Sequence, residues 1–181
     1  MQERTITYRR LVSPDLARIG EIDRTERIDE LYVQHGDRLE PRKSDWSSPP
    51  WELAGQGEHS VAAQQASLES LVETGGVALG AFEADRLVGI GVVVPHLRHG
   101  VAQLAYLHVS NGYRASGIGS RLSKQLEHVA KLGGDSAIVV SATPSENTVR
   151  FYLALGYELM AEPLPELYER EPGDVHLHKR L

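Results

Sequence analysis

Residues 113–120, YRASGIGS, separate an apolar run of strand character (LAYLHVS) from a run with leucines at helical spacing (SRLSKQLEHVAKL). Two glycines one residue apart, where a strand gives way to a helix, mean that backbone approaches something closely. A dinucleotide fingerprint would need Gly-x-Gly-x-x-Gly, but the residue three past Gly119 is Leu122. A triphosphate loop would need a lysine directly after its second glycine, and neither glycine has one. What remains is Arg-x-x-Gly-x-Gly opening a helix. The unpaired N–H groups and positive dipole end of that helix suit an anion, and Arg114 adds charge. The plainer alternative is a tight strand-to-helix turn with no ligand.

The elements around this turn set the class of fold. Thr5 to Val12 reads as a strand, and Ser13-Pro14 as an N-cap with proline at the first helical position. The helix is expected to run through Leu16, Ile19 and Ile22 toward Leu31. Residues 33–59 lose apolar periodicity and read as a long loop carrying Trp46 and Trp51, of the kind that is more often functional than idle. Ser60 to Glu73 reads as a second helix ended by Gly75-Gly76. GVALGAF and RLVGIGVVV flank a short polar turn and form a hairpin. The turn 95–100 leads to a strand over Val101–Val109. A helix with Ile118, Leu122, Leu126 and Val129 on one stripe, the strand AIVVSA, a helix from Ser145 to Leu155, and strands at 157–160 and 175–181 complete the chain. This order implies an α/β fold of the α+β mixed kind, a central sheet of about six to seven strands with helices on both faces.

Composition narrows the function. A chain of 181 residues is most simply one domain, 1–181. Its net charge of -6 argues against nucleic acid as partner, which would call for a basic face. It contains no cysteine, which removes disulfides, thiolate metal sites and any cysteine-bound acyl intermediate. No metal is expected. No apolar run approaches the roughly 20 residues needed to span a bilayer, and the polar start has no signal-peptide core, so no membrane partner and a cytoplasmic location are expected.

LHVSNGYRASGIGSRL followed by ENTVRFYLALGYEL resembles the two signature segments of the GNAT superfamily of N-acetyltransferases. The first matches as Arg114, Gly117 and Gly119. The second matches as Asn147, Phe151-Tyr152 and Gly156-Tyr157. The resemblance covers residues 76–160, making these the acetyl-CoA-binding core and leaving the helices and loop of 14–73 to the acceptor side. It implies acetyl-CoA as co-substrate and a small-molecule amine as acceptor. The backbone of Leu107, His108 and Val109 would pair with the pantetheine arm. The turn Arg114, Ala115, Ser116, Gly117, Ile118, Gly119 and Ser120 would hold the pyrophosphate, and Asn147 would contact the coenzyme arm. Tyr152 would stand near the thioester sulfur, where its hydroxyl can protonate the leaving thiolate. Without cysteine, direct attack by the amine in a ternary complex is the expected route.

The base that deprotonates the amine is less legible. Strict alternation would place Gln103, Ala105, Leu107 and Val109 on one face, and neither Gln103 nor Ala105 is a base. His108 would point to the other side as a structural residue unless a bulge reorients it. Asp23, Glu26 and Glu30 fall three and four apart, along one face of the expected helix. That face is either solvated or supplies the acceptor side, with Glu26 as base and Arg24, Glu30 and Trp51 as substrate contacts. The run Asp23 to Glu26 is similar to an Asp-Arg-Ser-Glu run in one subgroup of the family. Trp46 and Trp51 wall an acceptor pocket or pin the loop to the core. Two other functions stay open: a catalytically inactive acyl-CoA sensor or regulatory module, and a protein or peptide N-acetyltransferase. Assembly as a homodimer is also left open.

Overall fold

The computed structural model describes residues 4–181. Strand β1 (Ile6–Arg10) leads into a single helical turn, α1 (Ser13–Leu16), prolonged by a 3₁₀ turn over Ala17–Glu21. Leu16, Ile19 and Ile22 are buried as the periodicity requires. The helix does not continue to Leu31, however. Instead β2 (Glu26–His35) and β3 (Arg38–Ser48) form an antiparallel ribbon separate from the main sheet, turning at Gly36 with φ +61°. The expected acidic helix face therefore does not exist, and most of the expected loop 33–59 is strand. Strand β3 is largely exposed and β2 mixes half-buried and exposed positions with only Ile28 fully buried, and charged or polar residues fill many positions where a half-buried strand would alternate with apolar ones. Gly36-Asp37 is the one local hairpin signal.

Helix α2 (Val61–Glu73) starts where expected, because the Ser60 hydroxyl accepts the Ala63 N–H at 3.1 Å. Ser60→Ala removes this cap and is expected to cost about 1 kcal/mol of stability. Urea unfolding should then show a lower midpoint at unchanged slope.

The hairpin β4 (Val77–Glu83) and β5 (Arg86–Arg98) turns through Ala84 and continues into β6 (Val101–Val109). Strand β5 runs beyond the turn expected at Pro95, because Asp135 accepts the His96 N–H and also bonds its Nδ1, both at 3.0 Å. Then follow α3 (Ile118–Leu132), β7 (Ala137–Ala142), α4 (Glu146–Ala154), β8 (Glu158–Leu159), α5 (Pro165–Arg170) and β9 (Val175–Arg180). The short helix α5 is not legible in the sequence pattern. Seven strands form one sheet in the order β1-β4-β5-β6-β7-β9-β8, antiparallel throughout except for β6 beside β7. The mixed sheet with helices on both faces is as expected. Leu16, Ile19 and Leu68 of α1, the 3₁₀ turn and α2 cover one face, and Leu122, Leu126 and Ala130 of α3 cover the other.

Two irregularities prepare the site. The parallel pairing of β6 with β7 spans only Val101–Gln103 and Ala137–Val139, after which the strands part. In β6, Tyr106 pairs with Val92 while Leu104 pairs with Val93, so Ala105 is an extra, unpaired residue. Such a bulge inverts the alternation beyond it. Ala102, Leu104 and Leu107 pack into the core shared with α3 and α4, whereas Tyr106 packs against the α2 core. The expected single face from Gln103 to Val109 is thus broken at Ala105.

Candidate active site between the parting strands

Where β6 and β7 separate, no neighbouring strand fills the gap, and a cleft of about 870 Å³ opens through the sheet. Leu104 to Val109 form one wall. Ser141 to Thr143, with Asn147, Thr148, Phe151 and Tyr152 of α4, form the other. The glycine turn closes one end.

In that turn Ala115 and Gly117 have φ of +57° and +85°, and Gly117 is the N-cap of α3. The first N–H groups of a helix have no partner within it, and Gly117, Gly119 and Ser120 line the cleft. A Cβ on Gly117 would meet no atom within 4 Å, whereas one on Gly119 would meet the Phe151 ring at 3.3 Å. The first glycine therefore leaves space for a ligand, and the second lets α3 approach α4. Of the other expected turn residues, Ala115 lines the cleft, but the Ile118 side chain is core. The Ser116 hydroxyl turns back to the Tyr113 carbonyl. Arg114 lines the cleft as well, and its side chain is held from within the protein. Its Nε donates to the Val109 carbonyl at 3.2 Å, and its Nη1 and Nη2 reach the Thr25 and Arg24 carbonyls at 3.2 and 3.3 Å. Its guanidinium therefore fastens the chain before β2 to the turn.

Glu26 lies across the cleft. Its Oε1 accepts from Asn147 Nδ2 at 3.0 Å, and its Oε2 is 3.4 Å from Arg114 Nη1, so one carboxylate ties α4 to the turn after β6. Tyr152 is 5% exposed, set edge-on to Phe151 and Tyr157 with ring centroids at 5.1 and 5.3 Å. Burial raises its hydroxyl well above the usual phenol range, so it keeps its proton at any working pH.

The opposite face of β6 presents Tyr106 and His108. The His108 ring is 4.9 Å from Tyr106 and 5.6 Å from Trp51. Burial, with the Arg24 and Arg114 cations adding to it, pulls its pKa down to about 4, so the imidazole is neutral. Tyr106 donates to Gln64 Oε1 of α2 at 2.7 Å. Arg24 lies over the Trp51 ring at 4.4 Å and lines the cleft. Trp51 itself is a core residue at 7% exposure, and it is Trp46 that lines the cleft. Glu30 and Gln103 are not among the lining residues. Two carboxylates that the sequence reading passed over, Glu171 and Asp174, stand at the wall just before β9. Burial and the neighbouring Glu171 push Asp174 up to about 6. The Pro172-Gly173 turn between them is the only local mark of their position.

The Acetyltransferase (GNAT) family model matches residues 40–157. The chain belongs to this family and is an acetyltransferase. Solved structures share the fold across its length. A nourseothricin acetyltransferase is 17% identical with a TM-score of 0.70, covering 97% of this chain and 98% of its own. The PaiA N-acetyltransferase of Thermoplasma acidophilum, in complex with coenzyme A, is 17% identical with a TM-score of 0.63, covering 98% and 99%. An aminoglycoside 6'-N-acetyltransferase complexed with coenzyme A is 21% identical with a TM-score of 0.57, covering 68% and 82%. No curated protein sequence matches the chain. No helix among the described residues is long and apolar enough to cross a membrane.

Proposed function

We propose that the protein transfers the acetyl group of acetyl-CoA directly to the primary amine of a small molecule. The observation that carries this reading is a cleft running through the sheet, with an anion-suited turn at one end and charged groups on its opposite side. The nourseothricin and aminoglycoside acetyltransferases that share the fold carry small-molecule acceptors in their names, which supports a small acceptor here.

In this reading the pantetheine arm runs along Leu107–Val109, whose edge beyond Gln103 has no paired strand on the β7 side. The pyrophosphate meets the N–H groups from Gly117 to Ser120. Glu26, held by Asn147 and Arg114, fixes the distance between the walls. Because Glu26 is already engaged by Asn147 and the Arg114 cation, we assign proton removal to Asp174 in preference to it. The acceptor binds as an ammonium and passes one proton to Asp174. The free amine nitrogen then attacks the thioester carbon, and N–H groups of β6 stabilise the oxygen as it gains charge. When the C–S bond breaks, the Tyr152 hydroxyl gives its proton to the thiolate. The nitrogen's remaining excess proton and the proton on Asp174 leave to solvent by way of the cleft, and Tyr152 regains its proton from solvent.

The test is a panel of primary amines with acetyl-CoA, following coenzyme A release with a thiol reagent. With no cysteine in the chain, the reagent sees only product. Acceptor-dependent release supports the reading, and its absence with every amine would refute it. A narrower test concerns the turn. Gly117→Val puts a branched side chain into the open space before α3 and is expected to weaken acetyl-CoA binding by about tenfold or more. Calorimetry on the folded variant checks this, and unchanged affinity would remove the turn from the coenzyme site.

A further inference from the structure

Arg24 has 9% of its surface exposed, and its Nη1 is buried with no hydrogen-bond partner. The ring it stacks on, Trp51, also has a buried Nε1 without a partner. Two buried donors thus stand in one stack with no acceptor between them. The nearby Tyr106 and Glu58 do too little to offset the loss of water, so burial lowers the Arg24 pKa. Leaving a buried charge uncompensated costs more than a cation–π stack returns. Packing alone does not explain the residue, since an uncharged side chain of similar length would fill the same space.

Resting on the acetyltransferase reading above, we infer that the acceptor carries a carboxylate beside its amine, and that Arg24, which lines the cleft, binds this carboxylate. A carboxylate has only acceptor oxygens and one negative charge, which is what the Arg24 guanidinium lacks. The coenzyme's own anions are a poor match for this place. The glycine turn opens α3, on the other face of the sheet, while the Arg24 guanidinium lies on the α2 side beside Tyr106 and His108. Across the same cleft, Glu171 and Asp174 supply negative charge for the acceptor's ammonium. The uncompensated Arg24 cation and the Glu171 and Asp174 carboxylates in one cleft describe the zwitterion of an amino acid or an amine bearing an acid group, and disfavour a polyamine.

The experiment uses the full chain, acetyl-CoA and matched acceptor trios: a series of amino acids, each with its carboxamide and its decarboxylated amine. The wild type should favour the carboxylate member by on the order of 10²-fold in kcat/KM, the usual range for a buried charge pair. Arg24→Met keeps the apolar contact with Trp51 and removes the charge. It should bring the three members of each trio within a few fold of one another. Its affinity for coenzyme A should not change, and its Tm should equal or exceed that of the wild type. A wild type that accepts carboxamide and amine as readily as carboxylate would overturn the inference, as would a preference that survives Arg24→Met. A preference for succinyl-CoA over acetyl-CoA that Arg24→Met abolishes would also overturn it, by assigning Arg24 to the acyl group. Should no amine at all release coenzyme A, the acetyltransferase reading fails instead. The same trios are then compared by the Tm shift they produce in the coenzyme A-loaded protein, with the same outcomes for and against.

Discussion

Tyr152→Phe is expected to lower kcat by about 10²-fold, within the range for loss of a general acid, while the Kd for acetyl-CoA stays at its wild-type value. The ring is held edge-on between Phe151 and Tyr157, and phenylalanine keeps those contacts, so the fold should not report the change. Only the hydroxyl is lost, and with it the proton for the departing thiolate. Single-turnover measurement of coenzyme A release separates this step from product dissociation. An acceptor series varied in basicity adds a second readout: with thiolate expulsion slowed, the rate of the variant should depend more steeply on the basicity of the attacking amine. Unchanged single-turnover rates would make Tyr152 a core aromatic and nothing more.

Asp174→Asn should cost about 10²-fold in kcat near neutral pH by the same reasoning, and its pH profile tells more than its size. The wild-type carboxyl, pushed up to about 6 by burial and Glu171, is ionised and able to take a proton above that pH. It is protonated and inert below it. The kcat of the wild type should therefore fall as pH drops through about 6, and Asp174→Asn should lose this limb. His108, pulled down to about 4, would instead place the limb two units lower. A limb near 4 that survives Asp174→Asn would transfer the role of base to His108.

How much of this was legible follows from the range of the forces involved. The strands from Val77 to Val109, the helix after Gly117 and its stop at Gly133-Gly134 are local features: apolar period, caps and glycine conformations decide them. The Arg114–Gly119 turn was readable for the same reason, whereas the Asn147–Tyr152 segment was marked by its resemblance to the second signature of the family. The ribbon β2–β3 was not, because many of its half-covered positions, such as Glu26, Glu30 and Gln34, carry charged or polar side chains, so the sequence lacks the apolar alternation that marks a strand. Reading it as a helix placed Glu26 and Glu30 on a common face, yet Glu26 lies in the cleft and Glu30 outside it. Asp174 has only Glu171 and the Pro172-Gly173 turn near it in sequence, and the burial that sets it apart is not local. Its neighbourhood is made by the end of the sheet and the approach of the cleft.

The sequence by itself determined a mixed sheet, a glycine turn suited to an anion, and an acyl transfer that does not pass through cysteine, since each depends on residue types and spacing along a few turns of chain. The tertiary structure alone decided which charges meet. The single extra residue Ala105 inverts the faces of β6, sending Tyr106 and His108 to the α2 side. The early parting of β6 and β7 then opens that side to the cleft, and long-range packing brings Arg24 over Trp51 without a counter-ion. Desolvation and electrostatic pairing depend on distances between residues far apart in the chain, and those exist only once the chain has folded.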